Sequence, residues 1–160
     1  MTRHERKTTL SATGRARHLW TYFSALIVAS FGLNGLWEMA QMPAYVEMAG
    51  RTWREMLWPC TIATLGDVAL TFAILGVGAL AARQVRWGMS GKWNVYATAA
   101  LLGAACAVVI EWNAVATGRW TYSGRMPIVP VLGVGLLPFL QLSLLVPGAL
   151  WVARWWSNRR

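Results

Sequence analysis

Long apolar runs alternate with short polar connections along the 160-residue chain, and the lengths of the runs set the first expectation. Four of them, about 20–42, 59–82, 94–116 and 128–153, each supply the roughly 20 residues that an α-helix needs to cross a ~30 Å hydrocarbon core. The pattern predicts an all-α fold: a polytopic membrane protein with four transmembrane helices in an antiparallel bundle. Residues 19–156 form the transmembrane domain, 1–18 a basic tail that lacks apolar periodicity and should be mobile, and 157–160 a basic end.

Polar residues inside the runs are not scattered. Ser30, Asn34, Glu38 and Gln41 recur at steps of four, four and three, one face of a helix that lipid cannot cover. Pro43 ends this helix, and 44–58 reads as an amphipathic loop or short interfacial helix. Pro59 suits the first turn of the second span, whose Cys60, Thr64, Asp67 and Thr71 again share a face. Asp67 then lies ~12 Å into the membrane at ~1.5 Å per residue. A carboxylate there costs about 2.5–3.5 kcal/mol on insertion scales, so it should be protonated, paired or bathed by a water-filled cavity. In the third span Ala100, Ala104 and Ala107, with Gly103 beside them, share the side of Glu111 and should let a neighbouring helix approach closely.

Composition agrees and adds orientation. The chain is 56% hydrophobic and 13% charged. A net charge of +9 would suit nucleic acid, but the basic residues flank apolar runs instead of clustering on a face or arm, so no nucleic-acid partner is expected. Eleven of the fifteen Lys and Arg fall before the first run, between the second and third, or after the fourth. Arg51, Arg54, Arg119 and Arg125 fall on the other side. By the positive-inside rule both termini are cytoplasmic and the protein belongs in the cytoplasmic (inner) membrane. The first run ends in Trp37-Glu38-Met39, without small residues suited to cleavage, and reads as a retained helix.

Two cysteines, Cys60 and Cys106, form no C-x-x-C pair for thiol redox chemistry. Both histidines, His4 and His18, lie in the tail, which excludes a bis-histidine haem or a His-based metal site within the bilayer. No metal and no cofactor is called for.

The topology brings Asn34, Glu38, Asp67, Glu111 and Gln141 to one level, between the outer interface and mid-bilayer, and a common site is expected there. Asp67, Glu111 and Glu38 are the candidate catalytic groups. Asn34, Gln41, Trp112, Arg119, Trp120, Tyr122 and Gln141 are the candidate substrate contacts. The competing reading makes these residues interhelical hydrogen bonds, belt aromatics or helix ends settling into headgroups, with Arg119 and Arg125 as counter-ions to Glu111 or Glu38 or as lipid-phosphate contacts. Each hairpin also has a Trp/Glu pair closing its first helix and a Leu-Gly dipeptide in its second, Leu65-Gly66 and Leu132-Gly133, a hint of an internal repeat.

Glu111, then Gly118-Arg119-Trp120-Thr121-Tyr122, Leu132-Gly133 and Pro138-Phe139-Leu140-Gln141, resembles a pattern in integral-membrane carotenoid enzymes of the lycopene cyclase and bacterioruberin-precursor hydratase group. Gln141 stands where that pattern has a carboxylate, and four spans replace six or more. The resemblance implies acid/base chemistry on a polyene or other isoprenoid lipid, with Glu111 as the position carried over. The chemistry is also physically reasonable alone. Protonating or shifting a double bond needs a carboxylic acid that keeps its proton, a second carboxylate to take one, and aromatic faces that stabilise carbocation character. The expected partners are the bilayer and a lipophilic small molecule, with a homo-oligomer left open. A proton-coupled small transporter or channel subunit, and a non-catalytic assembly subunit of a membrane complex, are the alternatives.

Overall fold

The computed structural model describes residues 3–159, with side chains from residue 14 onward. Four helices dominate: α1 (Arg3–Gln41), α2 (Trp53–Ala81), α3 (Trp93–Ala116) and α4 (Leu136–Ser157). Each is long and apolar enough to cross a membrane, and the chain is a multi-pass membrane protein. The helices stand antiparallel in a ring in which each touches the next and α4 closes onto α1. The contacts of α4 with α1 and α3 are the most extensive, and those between α2 and α3 the slightest. Large apolar side chains such as Val28, Leu36, Leu80 and Leu101 face outward on all four helices, where lipid replaces water as the solvent.

The basic segment expected as a mobile tail, with His4, lies largely outside the described side chains. Its last residues, 14–18, continue α1 as helix. Extending an existing helix fixes one residue per hydrogen bond gained and needs no new nucleus.

The second span begins earlier than its proline suggested. Thr52 and Glu55 form a reciprocal capping box, with Thr52 N–H donating to Glu55 Oε2 at 2.7 Å, so α2 starts at Trp53 and holds Pro59 inside it. The fourth span begins later. Residues Ile128–Val129 (β1) and Val134–Gly135 (β2) pair antiparallel, with Gly133 at φ 67° in the turn. Pro127 and Pro130 deny this segment two amide donors, so it pairs as a short hairpin and α4 starts only at Leu136.

On α3 the buried stripe is Val95, Ala99, Gly103, Ala107 and Glu111, one position over from the expected Ala100 and Ala104. Steps of four from Glu111 lead back to Ala107, Gly103 and Ala99, and that ladder packs on α4. A Cβ built on Gly103 would lie 2.3 Å from the Leu142 carbonyl oxygen, so only glycine permits this approach. At the opposite end the indole of Trp87 fills the space over Gly78 and fixes the connection between α2 and α3.

Candidate functional site

Every fourth residue of α1 from Tyr22 to Glu38 is buried, and the stripe turns from apolar to polar on the way: Tyr22, Leu26, Ser30, Asn34, Glu38, then Gln41. Its polar half meets α2 and α4 near the end at which α1 and α3 finish, called the upper end here. Asn34 Nδ2 donates to the Ser30 carbonyl at 2.9 Å and to Ser30 Oγ at 3.3 Å. Thr71 Oγ1 donates its one proton to the Asp67 carbonyl at 2.9 Å. Ser30 must therefore be the donor in its 3.1 Å bond to Thr71.

Gln141 of α4 is the hub. Its Nε2 lies 2.8 Å from Glu38 Oε1, 2.7 Å from Asp67 Oδ2 and 3.2 Å from Asn34 Oδ1, three acceptors for two protons. Gln41 Nε2 donates to Gln141 Oε1 at 2.8 Å and to Glu38 Oε1 at 2.9 Å, which fixes the orientation of both amides. Sharing one amide nitrogen holds the Glu38 and Asp67 oxygens within about 5.5 Å of each other, the sum of their two distances. Removing that donor leaves buried acceptors unpaired at about 1–3 kcal/mol each. Gln141→Leu is expected to lower the melting point in detergent measurably, whereas Gln141→Asn combined with wild-type stability would show that the hub is dispensable.

The second carboxyl centre is on α3. Glu111 Oε2 accepts from Trp120 Nε1 at 3.3 Å and, more closely, from the Tyr122 hydroxyl. That hydroxyl in turn accepts the Gly135 N–H at 2.9 Å, so the β2 backbone positions the phenol and the phenol positions the acid. The donors to Glu111 are an indole and a phenol, and Arg119, weighed as a counter-ion or a lipid-phosphate contact, lies with its guanidinium 5.4 Å from the Trp120 ring centre. Burial, then the Glu111 carboxyl, pushes the Tyr122 phenol well above its ordinary value, so Tyr122 is a neutral donor and not a base.

Two loops roof the bundle. Tyr45 bridges Tyr122 in antiparallel fashion, with Val46 N–H donating to Thr121 O and Ser123 N–H to Ala44 O, each at 2.9 Å. The Tyr45 ring packs edge-on against Trp120 at 6.2 Å and tilted against Tyr122 at 6.1 Å. Burial first, then the Glu111 and Glu38 carboxyls, hold its phenol far above the ordinary value, and Tyr45 lines the same cavity as Glu38, Asp67 and Glu111. Tyr45 escaped the sequence reading because its partner is 77 positions away and its own loop looks like an ordinary interfacial connection.

Beneath this roof is a cavity of about 630 Å³ between the four helices. Glu38, Gln41, Asp67, Glu111, Arg119, Trp120 and Gln141, seven of the ten residues singled out from sequence, line it. Asn34 sits behind Gln141. Tyr122 sits behind Glu111. Trp112 points elsewhere: it is half exposed on the lipid-facing side, and its indole N–H donates to the Leu132 carbonyl at 2.8 Å, bracing the β1–β2 turn. Met42, Tyr45, Met48 and Trp58 join the lining unannounced. Apolar walls with a few convergent polar groups are the usual make-up of a small-molecule site. No family model, curated protein or solved structure matches the chain.

Proposed function

We propose that this protein is a membrane-embedded acid/base catalyst that isomerises, cyclises or hydrates a lipophilic, isoprenoid-type substrate. The observation that carries the reading is the presence of two separately wired carboxyl centres, Glu38–Asp67 and Glu111, on different walls of one apolar cavity. In an isomerisation, one carboxylic acid gives its proton to an alkene carbon, and the π pair forms the new C–H bond. The carbocation left beside it is stabilised by the Tyr45 and Trp120 rings. The opposite carboxylate then removes a proton from the neighbouring carbon, and the electrons of that C–H bond close the shifted double bond. Two like groups at such close range as Glu38 and Asp67 favour sharing a proton, which suits this pair to the donor role. Tyr122 tethers Glu111 as the acceptor. The resemblance around Glu111 to carotenoid cyclases and hydratases supports the same class of substrate.

A proton-coupled carrier would need its titrating acid to reach both sides of the membrane. Below the acids the polar ladder runs through the Asn34 amide, which donates and accepts hydrogen bonds without passing a proton on, and then meets fully buried Leu26. That favours chemistry at the acids over transport across the bundle. Lipid extracts from a deletion strain, the complemented strain and one complemented with Asp67→Asn test the proposal. A lipid species lost on deletion, restored by the wild type and not by the variant is expected; identical extracts from all three would overturn it.

The charge asymmetry supports an inner-membrane orientation with the upper end outside and both termini in the cytoplasm. Reporters fused after Gly50 and after Ser90 should fall on opposite sides, the first outside. Both on one side, or the reverse order, would overturn that assignment.

A further inference from the structure

We infer that the substrate reaches the acids sideways from the bilayer, through the gap between α2 and α3, as a single hydrocarbon chain lying along that gap. This rests on the catalytic reading only for the word substrate; the gap is a separate feature of the fold. Of the four neighbouring helix pairs, α2 and α3 touch least, and the cavity is lined on that side by Ile62, Gly66 and Leu70 of α2 and by Ala107 and Ile110 of α3. These are apolar residues on two membrane-spanning helices, so the medium beyond them is lipid and not water.

The rim is open. Ile62 is 52% exposed. A Cβ built on Gly66 meets nothing within 4 Å, and Gly66 sits near the middle of a 29-residue helix, where a headgroup does not reach. From Trp58 down to Leu70 the lining of α2 covers ~18 Å at 1.5 Å per residue, an elongated slot and not a round pocket. Above it the paired loops of Tyr45 and Tyr122 lie across the upper end of the bundle.

The size of the space selects the occupant. The cavity of about 630 Å³, long, narrow and apolar on its lipid side, is ample for part of one alkyl or isoprenoid chain. A chain in this slot passes Asp67, the only one of the three acids that is partly exposed, before it reaches Glu38 and Glu111.

A photoreactive probe tests this without any turnover. The full-length protein is reconstituted in phosphatidylcholine vesicles containing a long-chain alkyl diazirine, irradiated, and mapped by peptide mass spectrometry. The wild type should carry label on the segments bearing Asp67 and Glu111, as well as on lipid-facing Leu36 and Leu101. Gly66→Phe should abolish most of the cavity label, because a ring there fills the mouth of the preformed pocket, and leave the Leu36 label unchanged. Ile62→Trp at the same rim serves as a second plug should Gly66→Phe not fold. Label confined to the lipid-facing residues of the wild type, or cavity label undiminished in both plugged variants, would overturn the portal. Cavity label that the plugs abolish, in a protein whose deletion leaves lipid extracts unchanged, would uphold the portal and remove only the catalytic reading.

Discussion

Glu38→Gln, Asp67→Asn and the variant carrying both are expected to lose activity to the same low level, about 10²–10⁴-fold below wild type, the usual worth of a positioned proton donor. The readout is the lipid conversion that separates the deletion strain from the complemented one. Both substitutions keep the shape of the side chain and keep an oxygen facing Gln141 Nε2, so the hub at 2.8 and 2.7 Å survives in each and stability should hold. On the proposed mechanism what goes is the proton the pair shares, so the second substitution has nothing further to remove and the losses should not add. Glu111→Gln should fall equally far by removing the acceptor, and Tyr122→Phe should fall less, because it loosens Glu111 while leaving the carboxyl in place. Additive losses within the Glu38–Asp67 pair, or wild-type conversion by Glu111→Gln, would leave these acids as structural hydrogen-bonding groups and nothing more.

Gly103→Val is expected to be strongly destabilising. Its Cβ would come within 2.3 Å of the Leu142 carbonyl oxygen and 2.8 Å of the carbonyl carbon, backbone atoms that cannot move aside by changing a rotamer. The two helices must separate, and the ordinary cost of overpacking, about 1–3 kcal/mol, becomes a lower bound. Activity should fall with it, because Leu142 adjoins Gln141 and Gly103 lies two steps of four below Glu111 on the same stripe. Gly66→Ala is the control: with open space around it, the change should stay within about 0.5 kcal/mol. Thermal unfolding of the detergent-solubilised protein, followed by circular dichroism, compares the three, and equal midpoints for Gly103→Val and wild type would refute the close approach.

The sequence by itself determined the membrane class, the four spans and the polar faces, because each depends on local quantities: the length of an apolar run and a period of 3.6. Asp67 and the α1 stripe were legible for that reason, and so was the level at which Glu38, Glu111 and Gln141 gather, since helix direction alternates through short connections. Span ends were less so. Pro59 looked like a first residue, but the capping pair Thr52 and Glu55 starts α2 six residues earlier, at Trp53. Pro127 and Pro130 looked like the entrance to α4 and instead shape a β-turn.

Only the tertiary structure decided who bonds to whom. Nothing local says that Gln141 would serve two carboxyls and Asn34 at once, that Glu111 would be tethered by Tyr122 and not by Arg119, or that Tyr45 would bridge Tyr122 across the roof. Nor does periodicity say that α4 packs tightly on both α1 and α3 while α2 and α3 stand apart. The physical reason is the same in each case. A helical face specifies what must be kept from lipid, but a buried donor or acceptor is satisfied by whichever group the packing brings within about 3 Å, and between α3 and α4 that packing depends on a glycine at position 103 that lets one backbone lie against another.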